Sequence, residues 1–285
     1  MLDLVLEAAI IQMQDSTGGD TPIRAAQRPK GLRFRFFRSF AALTLREMTT
    51  TYGRSPGGYA WAVLEPVAGI AVLSIVFSFV MRAPSLGTNF IYFFSGGVLL
   101  FTLYGSASNA AASSVRFSQA LLEYPAVSFI DALLARFVLN AMTQLLVMFI
   151  VIAGIILIYD LQPILRWPAL FQAIAMTLAL SFGLGTVNCY LTTSYPLWER
   201  IWAVLNRPMF FISGVMFVPE DLPWKVRDYL MWNPLMHATS EMRKGMFVTY
   251  DAVHVSPLYV FTLSLGLTML GLLLLRRHHK DLVLK

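Results

Sequence analysis

Residues 52–66 read YGRSPGGYAWAVLEP, and this stretch separates a charged N-terminal segment from the first long apolar run. The Pro-Gly-Gly sequence at 56–58 predicts a bend, because proline lacks a backbone donor and glycine loses the most entropy in a helix. Tyr59 and Trp61 follow directly, and amphipathic aromatic side chains favour the water boundary of a bilayer. We therefore expect the chain to enter a membrane here.

Glu65 and Pro66 lie roughly 9 Å inside this apolar run, at about 1.5 Å of rise per residue. A carboxylate near the centre of a membrane helix costs a few kcal/mol, so it usually marks a pathway or a partnered site. We predict that Glu65 belongs to a pathway. The alternative is that it pairs with Arg46 or Arg54 near the interface. Pro66 predicts a kink, because it removes a backbone donor from the helix.

The composition is that of a membrane protein. The 285 residues are 57% hydrophobic and only 13% charged, with a mean hydropathy of +0.63. Both fractions are far from the average of soluble domains. The formal net charge of +6 comes from basic residues that flank apolar runs, which indicates cytoplasmic flanks and no nucleic-acid partner. The single cysteine, Cys189, excludes an internal disulfide and a cysteine-based metal site.

Six apolar runs each approach the roughly 20 residues that a spanning helix needs. They are residues 59–81, 92–112, 137–159, 169–191, 201–217 and 257–275. If both termini are cytoplasmic, 16 of the 22 Lys and Arg residues flank the spans on the cytoplasmic side. This distribution follows the positive-inside rule. The sequence thus predicts an all-α integral membrane protein with six transmembrane helices and both termini in the cytoplasm.

Two segments precede the predicted transmembrane domain at 53–285. Residues 1–30 are polar and predict a cytoplasmic tail. Residues 31–52 predict an amphipathic interface helix, because Arg35, Arg38 and Arg46 share one helical face while large apolar residues share another. We expect this helix to lie on the membrane surface.

Two ordered motifs point to a known family. The first consists of Arg46, YGRS at 52–55 and GYAWAVLEP at 58–66. The second contains Ser213-Gly214, Leu222-Pro223, Asn233-Pro234-Leu235 and the pair Glu241 and Arg243 before Met246-Phe247. Together they resemble the permease subunits of ABC-2 type exporters of capsular polysaccharide. The resemblance covers residue 32 to the C-terminus. Pro56 departs from it, because a bulkier residue is expected before the glycines.

The resemblance implies a permease half, two copies of which form one pathway at their interface above two ATPase subunits. ATP and Mg would bind to the ATPase, and this chain would hold no cofactor. The implied substrate is a lipid-linked, usually acidic capsular polysaccharide that crosses the bacterial inner membrane. The resemblance also implies periplasmic and outer-membrane export components as partners. The residues expected at the substrate entrance and pathway are Arg35, Arg38, Arg46, Tyr52, Tyr59, Trp61 and Glu65.

The loop at 113–136 joins the second and third predicted spans and includes SQALLEYPAVSFID. In the family that the chain resembles, this loop carries the coupling helix that docks into the ATPase, which places Gln119, Glu123 and Tyr124 at that contact. The alternative is a plain connector with a solvated face. Docking is favoured because the loop is longer than most helix connections need.

Residues 218–256 are expected outside the cytoplasm, yet they contain apolar pieces too short to span. Irregular backbone at membrane depth is tolerated only where it lines a cavity or is buried in protein. This segment therefore predicts two short re-entrant helices broken at Asn233-Pro234, and a surface-lying loop is the alternative. The residues expected to form an external gate are Glu220, Trp224, Arg227, Asn233, Pro234, Glu241 and Arg243.

Several catalytic motifs are missing from the sequence. It has no G-x-x-x-x-G-K-[ST] loop that could cradle ATP phosphates, so energy for transport must come from a partner. It also has no H-E-x-x-H motif, which argues against an enzyme. Two alternatives stay open: the same fold could export O-antigen, teichoic acid, lipid or drug, or the chain could be an intramembrane lipid-modifying enzyme that acts without an ATPase.

Overall fold

The computed structural model describes residues 58–118 and 129–283, and these residues form helices and loops without any strand. The helices are α1 (Gly58–Val80), α2 (Phe90–Ala112), α3 (Ser114–Phe117), α4 (Phe129–Ile158), α5 (Trp167–Ser194), α6 (Trp198–Ile212), α7 (Trp224–Leu230), α8 (Pro234–Met246) and α9 (Pro257–Val283), with a 3-10 turn at Pro219–Asp221. The predicted all-α class is confirmed. The tail at 1–30 and the interface helix at 31–52 lie outside the described residues.

Five of these helices are long and apolar enough to cross a membrane. The segments are Ala60–Val80, Phe90–Ala112, Phe129–Ile158, Trp167–Ser194 and Pro257–Arg277. They match the first four predicted spans and the last one. The helix α4 begins at Phe129 and not near residue 137, because hydropathy marks only the apolar part of a helix. The preceding sequence DALLAR contains charges but consists mainly of good helix formers.

The fifth predicted span, residues 201–217, is not one continuous helix. The helix α6 has 15 residues, about 22 Å at 1.5 Å per residue, whereas the hydrocarbon core is about 30 Å thick. It ends at Ser213-Gly214, where Gly214 adopts a φ of +71°, the left-handed conformation common just after a helix. The chain then continues as a non-helical segment at 213–218, termed the irregular segment below. The count of six spans is therefore not confirmed.

The helix α5 lies at the centre of the bundle. It packs against α9, α2 and α8, while α2 packs against α4 and α1. The apolar side chains of α2 supply much of the core, including Phe93, Phe94, Leu100 and Leu103. In contrast, α1, α4 and α9 expose apolar side chains such as Phe79, Leu157 and Leu258. A bundle that buries apolar side chains at its centre and also exposes them on its outer helices is suited to a lipid environment.

The helices α5 and α9 approach each other closely at two glycines. A Cβ atom on Gly183 would lie 2.6 Å from the carbonyl oxygen of Ser264, and one on Gly271 would lie 2.7 Å from the backbone nitrogen of Val187. Small residues allow this approach, which is a common source of helix association in membranes. The contact fixes α9 against the central helix.

Gly271→Ala should destabilise the protein, because the new methyl group would meet backbone atoms that cannot rotate away. We expect a loss of about 1–3 kcal/mol, the usual effect of overpacking. Gly266→Ala on the same helix is the matched control, since no atom lies within 4 Å of its added Cβ. Thermal unfolding of both variants in detergent micelles measures the difference. Equal melting temperatures would contradict the close packing of α5 and α9.

Candidate functional site: a polar cavity and a buried helix

A cavity of about 930 Å³ lies between α2 and α6. Five aromatic side chains contribute to its wall: Phe101, Phe117, Trp202, Phe210 and Phe211. The rings of Phe101 and Phe210 meet edge to face, with centroids 5.2 Å apart. Aromatic rings offer apolar faces to a ligand, and edge-to-face contacts hold those rings in defined orientations.

Part of the polar wall comes from α6, which is strongly amphipathic. At 100° per residue, Glu199, Asn206 and Arg207 share the face that lines the cavity. Residues Val204 and Leu205 lie on the opposite face and are exposed. The Oδ1 atom of Asn206 is buried and has no hydrogen-bond partner among the described residues. This side chain therefore has an unsatisfied acceptor beside the cavity.

An ion pair closes one end of the cavity. Arg116 on α3 lies 2.8 Å from Glu199 on α6 through its Nη1 atom. The hydrogen bond from Arg116 lowers the pKa of the Glu199 carboxyl below its usual value. Both side chains are about half exposed, so the pair adds little stability by itself. It does connect α6 to the segment that leads into residues 119–128.

The irregular segment is held by side chains of α8 and its cap. The Asn233 side-chain amide donates to the Ile212 carbonyl at 3.0 Å, while its Oδ1 atom caps α8 at the Leu235 N–H. The Thr239 hydroxyl donates to the Ser213 carbonyl at 2.7 Å. These contacts satisfy backbone carbonyls that have left the helical hydrogen-bonding pattern.

Arg243 completes this set from the other end of α8. Its guanidinium is fully buried and donates from Nη1 to the Phe217 carbonyl and from Nη2 to the Val215 carbonyl, the latter at 2.9 Å. The guanidinium carbon lies 4.4 Å from the centroid of the Phe93 ring, a cation–π contact. Burial lowers the pKa of Arg243 to about 10, so the side chain stays charged at neutral pH.

A second polar cluster surrounds Glu220. The Tyr250 hydroxyl donates to Glu220 Oε2 at 2.9 Å, and His254 Nδ1 lies 3.0 Å from Oε1. The other His254 nitrogen lies 3.1 Å from the Ser240 hydroxyl of α8. Burial lowers the pKa of His254, and the Glu220 charge opposes that shift. Burial likewise raises the pKa of Tyr250. The cluster therefore ties the 3-10 turn to α8 and the following loop.

The predicted gate residues are only partly brought together. The buried helix α8 contains Pro234, Glu241 and Arg243, and Asn233 is its N-cap. Glu220 lies in the neighbouring cluster, whereas Trp224 on α7 is 65% exposed, and Arg227 lies on α7 as well. Glu241 does not pair with Arg243; its carboxylate lies 3.6 Å from Lys244.

The predicted pathway residues on α1 do not line the cavity. Trp61 and Glu65 are exposed on α1 and are absent from its wall. Other predicted residues have side chains outside the described part: Arg35, Arg38, Arg46, Tyr52, Tyr59, Gln119, Glu123 and Tyr124. Asn206 and Arg207 of α6 were not among the predicted site residues. The amphipathic pattern of α6 was the signal that could have identified both.

No group of three or more His, Cys, Asp or Glu residues that could hold a metal ion occurs in residues 58–118 and 129–283. The cavity wall instead combines aromatic rings, two amides, two arginines and a glutamate. Such a wall can bind and release a polar ligand that also has apolar faces.

Arg243→Met should strongly destabilise the protein, because it leaves the Val215 and Phe217 carbonyls buried without donors. Each such group costs about 1–3 kcal/mol, so we expect a loss of about 3 kcal/mol in unfolding free energy. Lys244→Met is the matched control, since its ammonium group is partly exposed and 3.6 Å from Glu241, and it should change stability by less than about 1 kcal/mol. Similar unfolding curves for the two variants would refute the anchoring role of Arg243.

Comparison with known proteins agrees with this architecture. The profile of the family described as ABC-2 type transporter matches residues 38–247. The chain is 28% identical to the polysialic acid transport protein KpsM of Escherichia coli, over 85% of this chain and 94% of that protein. It is 29% identical to the capsule polysaccharide export inner-membrane protein CtrC of Neisseria meningitidis serogroup B, over 85% and 92%. It is 27% identical to the capsule polysaccharide export inner-membrane protein BexB of Haemophilus influenzae, over 84% and 90%. Because the family profile covers most of its length, this chain belongs to the ABC-2 type transporter family.

Proposed function

We propose that this chain is the permease half of an ATP-driven exporter that moves lipid-linked capsular polysaccharide across a bacterial inner membrane. The observation that carries the proposal is the α2–α6 cavity, whose wall of aromatic rings, amides and two arginines occurs in a chain similar to polysaccharide transport proteins. The names of these relatives favour capsular polysaccharide over O-antigen, teichoic acid, lipid or drug. They also favour a transporter subunit over a lipid-modifying enzyme.

The cavity wall suits a moving polysaccharide chain. Sugar rings have apolar CH faces that can stack on Phe101, Trp202 and Phe210, and hydroxyl groups that can bond to Asn206. The guanidinium of Arg207 would attract an acidic sugar or the phosphate of a lipid carrier. Each contact is weak by itself, so the polymer can be held without being trapped.

A second copy would complete the pathway. In one chain, the polar face of α6 is largely exposed, and no residue of α6 is buried. A charged side chain that faces lipid is costly, so Arg207 needs a protein-lined or water-filled surrounding. A homodimer with its two α2–α6 cavities facing each other provides that surrounding, with the apolar face of α6 turned to lipid or to neighbouring helices.

Two ATPase subunits would drive transport from the cytoplasmic side, where ATP and Mg would be bound. Residues Gln119, Glu123 and Tyr124 are proposed to dock into them. The short helix α3 precedes these residues, and Arg136 holds it, with Nη1 donating to the Ser113 carbonyl and the guanidinium 4.3 Å from the Phe117 ring centroid. The Arg116–Glu199 pair then links α3 to the cavity wall. Motion at the docking segment can therefore reach the pathway.

The turn between α7 and α8 is proposed to be the apex of a re-entrant hairpin. Leu235, near the start of α8, packs with Tyr104 and Leu180, which lie midway along α2 and α5. The end of α8 is near the start of the same helices, since Met246 would contact a Cβ on Gly96 and Leu170 would contact one on Gly245. The helix α8 thus extends from mid-bundle towards the side proposed to be external.

Arg207→Gln should lower export several-fold without lowering the amount of protein, because it removes one of the two arginine charges of the cavity wall, the other being paired with Glu199. Arg200→Gln is the matched control, since Arg200 is also an exposed arginine of α6 but does not line the cavity. Surface polysaccharide would be measured in a capsule-forming strain that lacks its own permease and receives this chain with its ATPase. Failure of the unmodified chain to restore polysaccharide would overturn the proposed function, and equal export by both variants would overturn the pathway.

Single cysteines along residues 225–248, in a Cys189→Ser background, should reveal the hairpin. A membrane-impermeant thiol reagent added from outside should label positions 225 and 248 and should label position 233 poorly, because the apex lies beside Ile212 inside the bundle. Labelling in intact cells, compared with labelling after denaturation, gives the accessible fraction. Uniformly high labelling of all positions would indicate a surface loop.

A further inference from the structure

A narrow apolar groove of about 200 Å³ runs between α4 and α5, well away from the α2–α6 cavity. Ile152 and Ala153 contribute one wall, and Phe171 and Ile174 contribute the other. Its floor includes Met242 and Met246 of α8, which are only 2% and 3% exposed. Every residue that lines the groove is apolar. A sugar, a nucleotide or a metal would therefore find no polar partner inside it.

The groove exists because α8 separates α4 from α5. The helix α5 packs on α8 and α2, and α4 packs on α2, while Met242 and Met246 of α8 line the groove between α4 and α5. Gly245 lies against Leu170, where an added Cβ would be only 2.5 Å from Cδ2. The Arg166 N–H also donates to the Gly245 carbonyl at 2.9 Å. These contacts fix the floor, so the groove is a formed feature of the fold.

The surroundings of the groove indicate what fills it. Both walls belong to helices that are long and apolar enough to span a membrane, so hydrocarbon is the solvent outside. The opening is bordered by Phe149 and Trp167, which are both mostly exposed. Trp167 is the first residue of α5 and Arg166 is its N-cap. Tryptophan and basic side chains commonly meet lipid headgroups at such a helix terminus.

We propose that this groove binds one acyl chain of a phospholipid, with the phosphate beside Arg166 and Trp167. A transmembrane helix of a partner or of a second copy is about 10 Å wide with its side chains, which is too wide for a groove of this volume. An acyl chain is narrow and flexible enough to reach the floor. Arg166 donates from Nη1 to Asp251 at 2.9 Å and from Nη2 to the Val248 carbonyl at 2.7 Å. Its side chain is 35% exposed, and a guanidinium has five N–H donors, so those that remain can take a phosphate oxygen.

The site would link lipid binding to α8. Met242 and Met246 have flexible, polarizable side chains that adapt to an irregular ligand. Met242 is adjacent in sequence to Arg243, which holds the irregular segment. A bound acyl chain would therefore add apolar contacts to the helix that this segment depends on. The proposal concerns the lipid-facing side of the bundle and stands whether or not the α2–α6 cavity transports polysaccharide.

Photolabelling tests the site directly. The full-length protein would be placed in nanodiscs of phosphatidylethanolamine and phosphatidylglycerol with a trace of phospholipid carrying a diazirine midway along one acyl chain. After illumination, peptide mass spectrometry would locate the adducts. Adducts are expected on Met242 or Met246, which a chain can reach only through the groove, as well as on outward-facing residues such as Leu157.

Two tryptophan variants provide the matched comparison. Ala153→Trp fills the groove and should reduce adducts on Met242 and Met246 at least fivefold, without changing those on Leu157. Ala175→Trp makes the same substitution at an exposed position of α5 that does not line the groove, and it should leave all adducts unchanged. If Ala153→Trp fails to accumulate, Ala153→Phe replaces it.

Labelling of Leu157 with no adduct on Met242 or Met246 in the unmodified protein would overturn the proposal and would indicate that protein covers the groove. Adducts on the two methionines that persist in the groove-filling variant would also overturn it, because the chain would then reach them by another route.

Discussion

Backbone carbonyls that leave a helix inside a membrane protein must find donors within the protein, and here side chains of α8 and its cap supply them. Asn233 donates to the carbonyl of Ile212, the last residue of α6. Thr239 and Arg243 donate to three carbonyls of the irregular segment, at 213, 215 and 217. Without these bonds, a buried non-helical backbone would cost several kcal/mol. The non-helical path after α6 and the buried position of α8 therefore depend on each other.

The position of α8 in turn shapes the rest of the bundle. Removing a cation from water is costly, and the buried Arg243 is stabilised by two carbonyls and the face of Phe93. Phe93 belongs to α2, so the charge is held only where α8 lies against that helix. The same placement puts Met242 and Met246 between α4 and α5. One buried helix thus explains both the anchored irregular segment and the groove on the opposite side.

The sequence predicted the features that depend on local composition. Five spans followed from long apolar runs, whereas Gly214, whose left-handed conformation just after α6 is a local signal, lay inside the span predicted at 201–217. The fifth apolar run, residues 201–217, was predicted to be one continuous helix, because hydropathy averaged over a window does not register a single glycine. The full burial of α8 could not be predicted from composition, because Glu241, Arg243 and Lys244 give it the appearance of a solvated helix. Its partners, the carbonyls at 215 and 217, are defined only by the tertiary structure.

The helix α6 is held at its ends and packs little in between. At its start, the Trp198 indole donates to Asn188 Oδ1 at 3.0 Å, and Glu199 pairs with Arg116. At its end, Asn233 donates to the Ile212 carbonyl. None of its residues is buried, and one face lines the cavity.

A helix with this support can move as a unit without disrupting a packed core. A displacement of α3 would act on Glu199, and α6 would carry it about 20 Å to the cap of α8. The helix α6, which forms part of the cavity wall, is therefore the structural connection between α3 and the irregular segment.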